Sequence, residues 1–432
     1  MTVPTVAGSP IIRPLLMRHA QDAAFYWSQS DSSLCSPTVS IKKLASFHSL
    51  LEANLDGLRV AGDAGMLMAR RELDRWKSQG DAFVYGVLSF EKYADSQFEP
   101  VWDLLDEHAE STVYGFSCAT SWASRKAVFA RLEQWKATAH PIPLALSVIA
   151  RRELALPIAS QDVARYFDHE SHWVRGAACH LAAELPAESA RDFLLRALDD
   201  GDLDVQIAAA DALMALGRDA RVRHRLVDMV GRCKLLAEEQ RGLAKQIALA
   251  RMDRLARYLG HAVNCGDPEA REVLAMLPAE LQIPFIAHHG DPAFIDDLIA
   301  RLSNNRLSDA AFQAMHLITG IDLDDSQFLV RTASTPDEDS DEDSLQHLDS
   351  TRLQPDHGAI TDWWDKKRAH FKSGTPWLVG SSALNHDHVS RIFHLGSQLQ
   401  RFAAQMHAFS HNISISRLDI RTPMWRQPRN SA

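Results

Sequence analysis

The fold class this sequence predicts is all-α, an α-solenoid of stacked helical pairs followed by a non-repeat C-terminal segment. Three observations lead there. Residues 162–217 contain one pattern twice, with Val174 and Val205 in equivalent places about 31 residues apart, the period of a stacked helical pair. Apolar residues recur at helical spacing over most of the chain. The turns Gly266-Asp267-Pro268 and Gly290-Asp291-Pro292 lie about 24 residues apart, and each supplies an Asp cap and a Pro suited to a first helical turn. One such pair cannot bury its own apolar face, so it must stack on its neighbours.

In the second copy, Asp199-Asp200-Gly201-Asp202 stops one helix and caps the next. Val205, Ala208, Ala209, Ala212, Leu213 and Leu216 then form a single apolar stripe, closed by Gly217. The alanines allow close approach of neighbouring helices. Asp, then Val-Arg, then an Ala-rich helix ending in Leu-Gly resembles HEAT repeats. Arg175 fits that pattern, whereas Gln206 stands where the second copy would carry its Arg.

In chain order, residues 1–38 are expected as an N-terminal extension, with a first helix-like piece from Asp22 to Ser28 and a loop from Asp31 to Pro37. The HEAT-like solenoid is placed at 39–330, clearest at 162–217. Leu44, Phe47, Leu50, Leu51, Leu55 and Leu58 mark an amphipathic helix over about 39–60. Gly62-Asp63-Ala64-Gly65 reads as the turn after it; a phosphate loop would need a preceding strand and a Lys-Ser/Thr ending. Five helices are expected between Leu67 and Trp135, with Trp76, Trp102, Trp122 and Trp135 filling gaps between them. Pro141 and Pro143 open another, a helix follows at 219–233, and Leu235–Leu259 reads as one longer helix. The stretch from Gly290 through Thr319 is the last regular repeat.

Residues 331–355 are expected as an acidic linker, because Asp337–Asp343 holds six carboxylates in seven positions. An EF-hand loop fails there: Glu342 occupies the position that needs Gly, and Leu348 the one that needs Glu. Residues 356–432 form a capping or docking segment, with Trp363 and Trp364 on a short helix, a helix over Val389–Ala408, and Pro423-Met424-Trp425-Arg426-Gln427 near the end. Trp363, Trp364, Trp425 and Arg426 are the candidate partner-binding residues, since aromatic and Arg side chains most often dominate interface energies.

Composition bounds the function. With 432 residues and 46% apolar content the chain can bury a large core. A net charge of −10 argues against general nucleic-acid binding, which needs clustered Lys and Arg. The short basic patches Arg70-Arg71-Arg75 and Arg151-Arg152 read as solvated repeat edges. Five scattered cysteines without C-x-x-C spacing indicate reduced thiols, and no signal peptide or membrane span is apparent, so the expected location is cytoplasmic.

No catalytic motif emerges, and neither a cofactor nor a metal is expected. His169-Glu170 precedes Val174-Arg175 instead of following it, unlike the ligand pattern of helical-repeat di-iron enzymes. His288-His289 with Asp291 lacks a third His at i+4 and reads as a capped helix start with surface imidazoles; His386-Asp387-His388 falls in a turn.

The C-terminal third supports a closer resemblance. Gly290-Asp291-Pro292, Leu317–Leu323, Trp363-Trp364, Gly374-Thr375 with Leu378 and Gly380, Leu395-Gly396, Gln400-Arg401, Ala403-Ala404 and Pro423–Gln427 occur in that order, and Leu55–Gly62 precedes them. This set resembles a family of bacterial HEAT-repeat proteins whose genes are often found in type VI secretion clusters. The resemblance implies an accessory or adaptor role, with secretion components or effectors as protein partners, and it carries over no catalytic residue. The alternatives are a nucleic-acid-binding solenoid and an enzyme with a dispersed site.

Overall fold

The structure, a computed structural model, describes residues 5–6, 9–10, 12–92, 99–217, 219–333, 351–413 and 422–426. It is all-α apart from two short antiparallel ribbons among the described residues, Thr5–Val6 with Ser9–Pro10 and Leu329–Ala333 with Thr351–Pro355. The described residues gather into two compact units. The first comprises Met1–Arg225, Arg241–Ala244 and Val389–Ala432; the second comprises Leu226–Gln240 and Lys245–His388.

The first unit begins with α1 (Arg13–Ser32), α2 (Ile41–Val60), α3 (Asp63–Trp76), α4 (Gln79–Lys92), α5 (Glu99–Glu107), α6 (Ala109–Trp122), α7 (Arg125–Ala137) and α8 (Pro141–Glu153). Helix α1 is far longer than the piece expected from Asp22. Pro14 sits in its first turn, where a missing N–H costs nothing, and Leu16, Ala20, Ala23, Ala24 and Trp27 form its buried stripe. Small alanines give that stripe little hydrophobic signal, which hides it in sequence. Helix α2 matches its expected span, capped by Ser40 and burying Leu44, Leu51, Leu55 and Leu58. Trp102, Trp122 and Trp135 fill the core as anticipated, but Trp76 is 57% exposed and lies beneath the Arg75 guanidinium, 4.6 Å from its ring.

The repeats follow as α9 (Ser160–Phe167), α10 (His172–Ala182), α11 (Ala187–Ala197) and α12 (Leu203–Ala215). Val174, Ala178 and Cys179 on α10, and Val205, Ala209, Ala212 and Leu213 on α12, are all buried, so the two stripes stack as the pattern required. Arg175 ties one copy to the next. Its guanidinium donates Nε to Asp200 Oδ2 at 2.7 Å and Nη2 to Oδ1 at 2.9 Å, while Nη1 reaches the carbonyls of His169 and Glu170 at 2.9 and 2.7 Å. Hydrogen bonds and charge from Asp200 raise the Arg175 pKa against the opposing effect of burial. Gln206 keeps only the local half of this pattern, donating Nε2 to the Asp200 carbonyl of its own copy at 2.6 Å, as Arg175 does to His169 O. Arg175→Ala removes a bidentate charge-assisted pair in a sheltered position, so it is expected to lower stability by about 2 kcal/mol. Denaturant midpoints check this; a change below about 0.5 kcal/mol would mean the ladder is decorative.

The next helices are α13 (Ala220–Glu239) and α14 (Gly242–Ala262), separated by Gln240-Arg241 with Gly242 at φ 60° opening α14, so the single helix expected over Leu235–Leu259 is broken. In the second unit come α15 (Glu269–Met276), α16 (Ala279–His289), α17 (Ile295–Leu302) and α18 (Ser308–Thr319). Asp267 caps α15 by accepting from Glu269 N at 3.0 Å. Strand Leu329–Ala333 pairs with Thr351–Pro355 in strict register from Leu329 with Pro355 to Ala333 with Thr351. Both ends of the expected linker are therefore paired strands; the carboxylate run Asp337–Asp343 lies outside the described residues.

Helix α19 (His357–Lys367) and the loop after it close the second unit. That loop is laced to the repeats by backbone bonds: Trp377 N to Gly290 O at 2.8 Å, Val379 N to Leu317 O at 2.7 Å and Gly380 N to Ile318 O at 3.0 Å. Gly380 has φ 77°, and a Cβ there would meet Thr319 O at 3.0 Å, so glycine is what this approach admits. The helix expected over Val389–Ala408 is two helices, α20 (His386–Leu395) and α21 (Gln398–Ser410). Ser397 breaks them by forming a capping box with Gln400. Residues 356–388 thus fall in the second unit, while those from Val389 fall in the first.

Candidate functional site

Within the first unit, helix α21 and residues 422–426 pack on the N-terminal helices. Gln398 N donates to Val39 O at 2.9 Å and Leu399 N to Ser36 O at 3.1 Å, seating α21 against the turn before α2. Arg401 is 2% exposed; it donates Nε to Phe393 O at 2.8 Å and Nη1 to Gln398 Oε1 at 2.5 Å. Burial pushes its pKa down to about 10.

The last described turn, residues 422–426, docks on α2 and α6. Met424 N donates to His48 Nδ1 at 3.1 Å, and Arg426 Nη2 donates to Ala123 O at 2.7 Å. Because Nδ1 accepts, neutral His48 carries its proton on Nε2, which donates to Ser30 Oγ at 2.7 Å. Burial, then the charge of Arg401, lowers the His48 pKa to about 4. Burial likewise lowers the Arg426 pKa.

Trp425 packs edge-on to Trp122, with ring centroids 4.9 Å apart, yet stays 46% exposed. Together with Glu52, Arg59, Glu91 and Ser124 these rings line a cleft of about 350 Å³. Its polar rim is fully engaged: Arg59 binds Glu91 at 2.8 and 3.1 Å, Glu52 at 2.7 Å and Asp56 at 2.7 Å, and the Trp122 indole N–H donates to Glu52. The charged groups beside the open cleft are thus paired with one another, and the Trp425 indole stands next to them.

Trp363 and Trp364 belong to the second unit. Trp364 is 2% exposed and donates Nε1 to Asp296 Oδ1 at 3.0 Å; Arg368 also binds Asp296, at 2.8 Å. Trp363, half-buried, sits edge-on to Phe328 at 6.1 Å. Of the four aromatic and Arg candidates, Trp425 presents the largest exposed indole, and Trp364 is committed to packing within its unit.

The histidines depart from the sequence reading. His288 and His289 are 0% and 1% exposed and end helix α16; they are neither surface groups nor a helix start. His288 accepts from Arg257 at its Nε2, 3.1 Å away, and so presents Nδ1–H to His261 Nε2, also at 3.1 Å. His289 donates Nε2 to Asn264 O at 3.3 Å and turns Nδ1 toward Cys265 Sγ, 4.0 Å away. Cys265, His289 and Asp291 bring their ligand atoms within 4.8 Å of one another, so the third ligand absent at i+4 comes from the preceding repeat. His386 and His388 open α20 instead of lying in a turn, and His388 donates Nε2 to Leu378 O at 2.9 Å. Arg70 and Arg152 pair with Asp74 at 2.8 Å and Glu184 at 3.5 Å.

Comparison with known families adds one result. Residues 163–235 match the family model for HEAT repeats. The match covers the Arg175–Asp200 tie and the two stacked stripes, and it agrees with the helical pairs seen there. Searches of curated proteins and of solved structures returned no match. HEAT repeats are commonly protein-interaction scaffolds. Among the described residues, no helix is long and apolar enough to cross a membrane.

Proposed function

We propose that this protein is a non-enzymatic, cytoplasmic protein-binding scaffold accessory to a type VI secretion apparatus. The observation that carries the scaffold reading is the HEAT-repeat stretch at residues 163–235, whose copies are locked in register by Arg175 and Asp200. Helices held this way present side chains to a partner with little ordering cost on binding. The secretion context is supported by the ordered C-terminal motif set from Gly290 to Gln427. Its partners are components of that apparatus or its effectors.

Trp425 is the contact we place at the centre of the partner surface. An indole held edge-on by Trp122, beside a rim of satisfied carboxylates and Arg59, has the make-up of an interface anchor. Affinity capture with the tagged full chain after in-cell crosslinking should enrich secretion components or effectors. Trp425→Ala should weaken capture about tenfold or more, as expected for an anchor worth over about 1.4 kcal/mol, while circular dichroism shows the helical fold retained. Absence of any such component from the captured set would overturn the secretion assignment. Salt-sensitive retention of the chain on DNA would replace the scaffold with the nucleic-acid reading.

A further inference from the structure

We propose that Cys265, His289 and Asp291 form a site for one divalent ion of the zinc class. The three residues come from consecutive repeats of one local pattern. Cys265 precedes Gly266-Asp267-Pro268 just as His289 precedes Gly290-Asp291-Pro292, and stacking places the two equivalent positions side by side. The donor set is a thiolate sulfur, an imidazole nitrogen and a carboxylate oxygen, the combination that selects zinc over magnesium or calcium.

Each ligand is held in advance. The bond from His289 Nε2 to Asn264 O fixes the tautomer that aims the Nδ1 lone pair at Cys265 Sγ. A backbone carbonyl on the far nitrogen is the usual support for a metal-bound histidine. Phe285 stacks on the ring at 5.6 Å and 17°, while Phe294 meets it edge-on at 5.3 Å and 90°. Asp291 is 2% exposed and is oriented by the N–H groups of Gly266 at 3.1 Å, Ala293 at 3.0 Å and Gly374 at 3.0 and 3.1 Å.

The spacing suits closure on an ion. Bonds of about 2.0–2.3 Å at tetrahedral angles put ligand atoms about 3.3–3.8 Å apart. The Sγ···Nδ1 separation of 4.0 Å and the 4.8 Å limit for the set exceed that range by about 0.2–1.0 Å, so the three side chains draw together as the ion binds. Cys265 Sγ, which lies 3.2 Å from His289 O and donates to it, would surrender its proton to solvent as the sulfur–metal bond forms. One thiolate and one carboxylate then balance the two positive charges, so the buried site carries no net charge. Three protein ligands leave one coordination position for water or an incoming donor.

The test uses the full chain, stripped with chelator and titrated with Zn²⁺ against a chromophoric chelator, and with Co²⁺ as a spectroscopic probe. One ion per chain is expected, with a thiolate-to-cobalt charge-transfer band and an affinity that rises with pH. Cys265→Ser, nearly isosteric, should lose the band and weaken Zn²⁺ binding more than about 100-fold, beyond what losing a group that only supports a ligand costs. Its metal-free circular dichroism and melting transition should match those of the parent chain; His289→Gln serves as the second variant. A parent chain that binds no stoichiometric Zn²⁺, or a Cys265→Ser chain that keeps both affinity and band, overturns the site. This outcome is independent of partner capture.

Discussion

Gly115→Ala is expected to destabilise the first unit by about 3 kcal/mol or more, at the upper end of the usual range for overpacked cores. A Cβ at Gly115, on α6, would lie 1.9 Å from Gln79 O and 2.6 Å from Gln79 C, the first residue of α4. These are backbone atoms, so no rotamer change relieves the clash and one helix must move. Gly86 on α4 makes the crossing tighter still, since a Cβ there would approach Ala119 Cβ at 2.8 Å. The two helices carry Phe83, Val87, Phe90, Phe116 and Ala119 at the centre of the core, so separating them opens it. Gly176→Ala is the matched control. Nothing lies within 4 Å of the position its new methyl group would take, and it sits inside α10, where Ala is favoured over Gly by about 0.5–1 kcal/mol. Thermal and denaturant unfolding of the two variants should shift in opposite directions. Equal shifts would show that the α4–α6 contact tolerates expansion.

Acid should release the C-terminal turn from the first unit through His48. With a folded pKa near 4 against 6.5 for an unhindered imidazole, the unfolded chain binds a proton between those values that the folded chain refuses. Stability is therefore full above about pH 6.5 and falls as pH drops toward 4. The loss reaches roughly 3 kcal/mol at about 1.4 kcal/mol per pH unit. Burial opposes the charge first and Arg401 second, and protonating Nδ1 also replaces the acceptor of Met424 N–H with a second donor. The adjacent Trp122–Trp425 pair supplies a fluorescence readout for the same event. His48→Gln should flatten most of the stability change between about pH 7 and 4.5; a variant as acid-sensitive as the parent would assign the effect elsewhere. His394, whose pKa is lowered by burial and then by Arg401, contributes equally to both chains and drops out of the comparison.

The local pattern of the chain was legible wherever burial is periodic and apolar. The stripes of α2, α10 and α12 rest on Leu, Val and Ala at helical spacing, and they lie where that spacing puts them. Helix α1 extends well beyond its sequence signal because three alanines, with Leu16 and Trp27, bury its face without a strong hydrophobic period. Gly242 and Ser397 broke helices that periodicity alone ran together, since capping is decided by one residue's backbone and side-chain oxygen, not by a stripe. Trp425 and Arg426 were singled out by residue type, but their seats against Trp122 and Ala123 depend on contacts some 300 residues away in sequence.

By itself, then, the sequence determined the helical class, the stacking repeat at 162–217 and the place of Arg175 within it, because each follows from spacing within one or two helical turns or one repeat. Only the tertiary structure decided that His288 and His289 are buried, that Cys265 faces His289 and Asp291, and that His48 receives the last described turn of the chain. Those outcomes are set by which distant segments share a low-dielectric interior. A pattern along the chain carries period, but it does not carry the identity of the neighbour across the contact.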